Sequence, residues 1–209
     1  MHYEEKTLGA PTTIRNETAA LYQPLDSHGE EIRLVTLQQG SFNDAIHCSL
    51  SKVSLKEVPS YQALSYTWGD PRSTLQIYLD GRPHQVTTNL ESALRHLRLA
   101  TESRVLWIDA LCINQGDTLE RNSQVMQMNG VYWKASDVVI WLGEEAGNSD
   151  LAFDAFEMLP KIESIHWDPV ANPILDKVLR GRKYSLAIEK MFQRPWWHRV
   201  WTVQESILG

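Results

Sequence analysis

The 209-residue chain is short of cysteine, of long apolar runs and of positive charge, and each shortage removes a class of protein. Its two cysteines, Cys48 and Cys112, are too few for a disulfide scaffold and favour a reducing, cytoplasmic setting. No apolar stretch approaches the roughly 20 residues that cross a bilayer, and the first residues lack the apolar core of a secretory signal. A formal net charge of −6 argues against non-specific nucleic-acid binding, which needs a basic footprint. Three common catalytic signatures are also missing: the Gly-x-x-x-x-Gly-Lys phosphate loop, the Gly-x-Gly-x-x-Gly fingerprint and the Gly-x-Ser-x-Gly elbow. The seven histidines are scattered without metal-ligand spacing, so no metal site is expected.

What remains is an ordinary globular composition, 43% apolar and 22% charged, on a chain long enough for one sizeable core. Tryptophan is over-used. Of the eight, Trp68, Trp107, Trp133 and Trp141 fall in or beside predicted core segments, and Trp196, Trp197 and Trp201 cluster near the end. Residues 1–21 are polar and aperiodic and read as a flexible arm. Residues 22–209 then form a single domain.

Alternation predicts strands at 32–37 and 46–55, with a third at 63–67 ended by Gly69-Asp70-Pro71. Residues 75–79 and 83–87 flank Asp80-Gly81, a hairpin signal. Thr88-Asn-Leu-Glu91 reads as a capping box opening a helix with Leu90, Ala93, Leu94 and Leu97 on one face. A short β-rich run at 104–109 follows. Asp117-Thr-Leu-Glu120 caps a second helix, with Val125, Met128, Tyr132 and Ala135 expected on its buried face. Gly130 inside that helix costs about 1 kcal/mol relative to alanine, which implies a close packing contact. Val138–Leu142 is nearly all apolar, as in a strand covered on both faces. Helices are expected at 149–159 and 184–192. Residues 160–182 are ambiguous, and 198–208 suit either strand or helix. Strand, helix, strand, helix, strand over 63–142 argues for a parallel sheet, with the N-terminal strands and the hairpin added at an edge.

Two segments end predicted strands in polar loops: Tyr61-Gln-Ala-Leu-Ser-Tyr-Thr-Trp-Gly-Asp-Pro71 and Leu106-Trp-Ile-Asp-Ala-Leu-Cys-Ile-Asn-Gln115. In open α/β sheets such loops build the ligand crevice. Both segments, with Glu120-Arg121, Gln124-Val125, Met128 and Val138–Gly143, resemble signature blocks of the fungal heterokaryon-incompatibility (HET) domain. Trp197-His-Arg-Val-Trp-Thr-Val-Gln-Glu205 resembles a third block. The resemblance covers about residues 22–209. Members of that family are often longer, so a truncation after Gly209 is expected.

The resemblance implies a role in non-self recognition and programmed cell death after fungal cell fusion. It also implies a distant likeness to Toll/interleukin-1 receptor (TIR) domains: a flavodoxin-like, mostly parallel central sheet flanked by helices, with the N-terminal strands and β-hairpin as additions. Ala63–Tyr66, Trp107–Asp109 and Val138–Leu142 take the places of the first three TIR strands. Trp201-Thr-Val-Gln-Glu205 resembles the Trp-x-x-x-Glu segment whose glutamate is catalytic in TIR domains that cleave NAD. This chain has Thr202 where many TIR domains have cysteine, and a longer stretch before Trp201.

The implied chemistry is NAD glycohydrolysis with nicotinamide release, NAD or a related nucleotide being the substrate and no cofactor being required. Glu205 would stabilise an oxocarbenium-like ribose; alternatively it is a solvated helix-terminal acid. Tyr66 and Trp68 are candidates to stack on a base, or are core residues. Asp70 is a candidate ribose acceptor or an ordinary turn residue. Asp109 either meets a ribose or caps the next loop. Asn114 and Gln115 either touch ligand or fix their loop, and Arg199 pairs with a phosphate or with Glu205. Cys112 is either a nucleophile or, more simply, a small apolar residue. The competing function is a non-enzymatic module that self-associates, as a homo-oligomer, or binds a protein partner. A nucleotide sensor without turnover is a third.

Overall fold

A computed structural model of the chain describes residues 21–26, 30–158 and 181–199. Seven strands form one sheet: β1 (Glu31–Leu37), β2 (His47–Ser54), β3 (Gln62–Tyr66), β4 (Thr74–Leu79), β5 (Arg82–Thr87), β6 (Arg104–Trp107) and β7 (Asp137–Trp141). Their spatial order is β5-β4-β2-β1-β6-β3-β7. The helices are α1 (Thr88–Leu97), α2 (Asp109–Cys112), α3 (Thr118–Lys134), α4 (Ser149–Met158) and α5 (Arg182–Phe192), with short 3-10 turns at Leu55–Glu57 and Pro195–His198.

The expected parallel unit is present as β6-β3-β7, with β3 parallel to both neighbours. The sheet as a whole is mixed rather than mostly parallel. β1 runs antiparallel to β6 and β2, and β4 antiparallel to β5, while β2 and β4 are parallel. The reason lies in the connections: residues 38–46 between β1 and β2, and the two-residue turn between β4 and β5, are too short for a crossover, so those pairs are antiparallel, whereas β3, β6 and β7 are linked by long segments that carry helices. The hairpin and the N-terminal strands extend the β6 side, as expected of additions. Asp80 (φ 49°) and Gly81 (φ 74°) make the tight turn of that hairpin. The Asp80 carboxylate then accepts from Leu50 N–H at 3.0 Å, which ties the hairpin to β2.

Burial runs through consecutive residues where the sheet is covered on both faces, so the alternation expected of β1 gives way to a continuous buried run. Ile32, Leu34, Val35, Leu37, Ala63, Leu64, Leu106 and Trp107 are all buried in one continuous core. β7 departs from expectation. It is one of the two edge strands among the described residues, and its burial is only partial, with Ile140 39% exposed. An apolar run signals burial only when neighbours exist on both sides, and β7 pairs with β3 alone.

Helix starts are displaced in detail. The α1 cap is Thr87, whose hydroxyl accepts from Leu90 N–H, one residue before the predicted box; Glu91 instead pairs with Arg95 one turn on. Asp117 caps α3 as expected, accepting from Leu119 and Glu120 N–H at 2.9 and 3.1 Å. On α3 Met128 and Tyr132 are buried as expected, but the other buried residues are Gln124 and Val131, while Val125 is 40% exposed and Ala135 only partly buried. Gln124 goes inward because its amide donates to the Glu31 carbonyl at 2.9 Å. Trp133, expected near the core, is 70% exposed. Gly130 has no close contact either: a Cβ there would meet only Leu55 Cδ1, at 4.0 Å.

Candidate functional site

The loops after β3 and β6 leave the same edge of the sheet, because these strands are parallel neighbours. There the Trp68 indole N–H donates to Asp109 Oδ2 at 2.7 Å. The other Asp109 oxygen accepts from Ala110 N–H at 2.7 Å, which fixes the carboxylate in the first turn of α2. The Gln115 amide donates to the Asp109 carbonyl at 3.0 Å, and Asn114 Oδ1 accepts from Gly116 N–H at 3.2 Å. Trp68, 42% exposed, borders a cavity of about 320 Å³ with Tyr66, His84, Leu90, Asn114 and Gln115 among its walls. None of the lining side chains is a carboxylate, lysine or arginine, and burial lowers the His84 pKa, which favours its neutral form. The cavity lining thus carries no formal charge, and the Asp109 carboxylate lies beside it through its bond to Trp68.

Tyr66 is buried beneath this cavity. Burial pushes its hydroxyl pKa well above the usual value, and the charge and hydrogen-bonding of nearby Asp109 push it further, against a small opposing effect of Arg199. The phenol therefore stays protonated, a donor aimed near the carboxylate without reaching well-formed hydrogen-bond geometry.

The segment leading into the third sequence block is anchored to the same strand. Trp196, almost wholly buried, donates its indole N–H to Ser65 Oγ at 2.7 Å. Arg194 holds the loop after β7, donating to the carbonyls of Leu142, Gly143 and Ala146 at 3.0, 3.3 and 3.0 Å. Pro195 starts a 3-10 turn that leads to Arg199, whose charge acts on Tyr66. A family model described as "Heterokaryon incompatibility protein (HET)" matches residues 61–205, which run from Tyr61 through this anchored segment. The chain belongs to the heterokaryon-incompatibility family. It is 33% identical to "Heterokaryon incompatibility protein 6, OR allele" of Neurospora crassa over 242 aligned residues, covering 97% of this chain and 35% of that protein. The chain thus spans about a third of the length of that relative. No solved structure matches it.

Within this HET domain the predicted residues separate. Tyr66, Trp68, Asp109 and Asn114 gather at one edge, with Arg199 near enough to act on Tyr66. Asp70 lies in the same loop as Trp68 but turns to solvent, where it pairs with Arg72 at 2.9 Å; that pairing lowers its pKa. Glu205, with Trp201, lies outside the described residues. Cys112 is fully buried, its thiol pushed up to about 12 by burial, as a small apolar residue rather than a nucleophile. Among the described residues no group of three or more His, Cys, Asp or Glu is placed to hold a metal, and no helix is long and apolar enough to cross a membrane.

Sequence reasoning missed two supports of the site. Glu120, four residues after Gly116, grips Arg33 of β1 through both carboxylate oxygens, at 2.6 and 3.0 Å, and accepts from Asn114 N–H at 2.7 Å. Arg33 also donates to the carbonyls of Cys112 and Gln23, so one buried cation knots β1, the α2 loop and the N-terminal segment. No sequence signal marked it: alternation puts Arg33 on the face opposite Ile32 and Leu34, and only the covered second face of β1 makes it buried. The second support is Asn89 on α1, which donates to the Thr67 carbonyl at 2.5 Å and accepts from the Trp141 indole at 3.1 Å, joining the ends of β3 and β7.

Proposed function

We propose that this HET domain is the effector part of a fungal heterokaryon-incompatibility protein, and that it acts in cell death by cleaving NAD at the edge formed by β3 and β6. The observation that carries this is the preset pair at that edge: Trp68, partly exposed, is held at 2.7 Å by the Asp109 carboxylate beside a cavity with a neutral lining. The order β6-β3-β7 supports a TIR-like reading, since a second-first-third order of parallel strands is that of flavodoxin-like sheets, which take ligands at the strand C-termini. The bond from Trp196 to Ser65 holds the residue just before the third block against β3, which supports a part for that block, Glu205 included, in the proposed reaction.

The reaction breaks the bond between nicotinamide N1 and ribose C1′. The bonding electron pair leaves with the ring, which departs neutral and needs no proton. Positive charge then builds on the ribose, and an adjacent carboxylate stabilises it. Water adds to C1′ and loses a proton, completing hydrolysis. In this scheme Glu205 faces the ribose charge, the neutral cavity takes a ring, Tyr66 and Asp109 meet hydroxyls, and Arg199 meets a phosphate.

The test is NAD consumption by concentrated protein, with Glu205→Gln alongside. The wild type should release nicotinamide, and the variant should be about 10²–10³ slower, the scale of losing one electrostatic stabiliser. Equal rates in the two proteins would remove Glu205 from the mechanism. No consumption at any protein concentration, with cell killing retained by both, would leave the competing reading of a self-associating, non-enzymatic module.

A further inference from the structure

The outer face of α3 carries a pattern that the fold does not use. Leu119, Met126 and Trp133 stand seven residues apart and are 82%, 85% and 70% exposed. Asn122 and Asn129 fill the intermediate positions, so the stripe reads apolar, amide, apolar, amide, apolar over about 21 Å of helix, with no charged side chain along it. This is the a/d spacing of a two-helix seam, with buried amides as the polar positions that set register. Surface helices more commonly place charges on such a face.

We propose that this stripe binds a second copy of the same chain, with the two α3 helices antiparallel about a two-fold axis at Met126. The pattern is self-complementary about that residue. Met126 meets the partner's Met126, Leu119 meets the partner's Trp133, and Asn129 faces the partner's Ser123, a hydroxyl within reach of its amide. Asn122 faces the partner's Gly130. Gly130 sits mid-helix with only a 4.0 Å neighbour inside its own chain, so its lack of a side chain serves no internal contact; on the outer face it lets the partner helix approach. The antiparallel arrangement also sets the Asp117 end of one helix beside the Lys134 end of the other, opposing both charges and helix dipoles.

A receptacle for the aromatic anchor lies where this symmetry requires it. Leu119 borders a cavity of about 240 Å³ whose other walls include Tyr22, Leu25, Asn114 and Glu120. The two-fold brings the partner's Trp133 to the mouth of that cavity, the arrangement of a buried aromatic hot spot. The exposures of the three apolar residues imply on the order of 500 Å² covered per copy, about 1,000 Å² for the pair, the lower bound for a specific interface. Asn114 lines both this cavity and the one beside Trp68, so association presses on the loop that shapes the ligand site.

The decisive experiment is sedimentation equilibrium of the 209-residue chain at about 150 mM salt, where the net charge of −6 per copy is screened beyond about 8 Å. The wild type should be a concentration-dependent dimer in the micromolar range. Trp133→Ala should weaken dimerisation at least ten-fold. Met126→Glu and Met126→Lys should each be monomeric, because the axis sets like charges against each other, and mixing the two should restore a heterodimer. Circular dichroism should show all three variants folded, since these positions are exposed. A wild type that stays monomeric to about 100 μM overturns the proposal; so does a dimer indifferent to Met126, or failure of the Glu and Lys variants to pair. A wild-type monomer that binds another protein through Trp133 would assign the stripe to a different occupant and equally overturn it.

Discussion

Removing the Glu120 carboxylate should destabilise the domain far more than its place at the start of a helix suggests. Arg33 is 2% exposed and its partner acid 11%. Both terminal nitrogens of the guanidinium face that acid, and their remaining bonds are to the neutral carbonyls of Cys112 and Gln23. Glu120→Ala leaves a buried cation with dipoles but no counter-charge, which costs about 3–5 kcal/mol when one partner of a buried pair is lost. The same change strips the Asn114 N–H of its acceptor. For a chain of this size each kcal/mol moves the melting temperature by about 2–4 °C, so a fall of about 6–20 °C is expected. Urea unfolding followed by circular dichroism gives the free energy, and calorimetry the temperature. Arg33→Met combined with Glu120→Leu should recover most of the loss, because a buried ion pair contributes little beyond its own desolvation. A loss below about 1 kcal/mol in Glu120→Ala would refute the reasoning: it would mean that Arg33 is solvated and that the loop after β6 is held by something else.

Alkaline pH should destabilise the domain. Burial raises the Cys48 and Cys112 thiols and the Tyr22 hydroxyl to about 12, so the unfolded chain releases these protons first; stability is full below the unfolded values near 9–10 and drains as pH rises toward 12. Urea midpoints at pH 8, 9.5 and 10.5 should fall in that order, and a flat profile would contradict the burial of these groups. Trp107→Ala, at a fully buried position, should cost about 3–5 kcal/mol, whereas Trp141→Ala, half-buried at the outer strand, should cost roughly half as much; equal costs by chemical denaturation would place β7 deeper than described. Gly69→Ala should cost about 1–2 kcal/mol, since Gly69 holds φ +82° and a Cβ there comes within 3.3 Å of Asn89 Cβ, and a neutral result in the same assay would show the turn able to relax.

Local signals were legible wherever the physics is local. Asp80-Gly81 specified its hairpin because positive φ is a property of the residues themselves, and Asp117 capped α3 because a short carboxylate reaches the nearest orphan N–H groups. Thr87 displaced Thr88 as the cap of α1 because two adjacent threonines offer the same chemistry and only the exit of β5 chooses between them. That Trp68 and Asp109 share one edge was foreseeable too: both follow strands, and parallel neighbours release their loops on one side. Their 2.7 Å contact was not foreseeable, since it joins residues 41 apart through the pairing of β3 with β6.

By itself, then, the sequence determined the family, the apolar strands of the core, the hairpin and the absence of a disulfide framework, all of which rest on residue type and near spacing. Tertiary structure alone decided that the sheet is mixed, that β7 is an edge strand among the described residues, and that Arg33 and Glu120 find each other across 87 residues. It also decided that Trp133 faces solvent while Gln124 faces in. Period and composition describe one element, whereas burial depends on which other element arrives to cover it, and that is settled only when the whole chain packs.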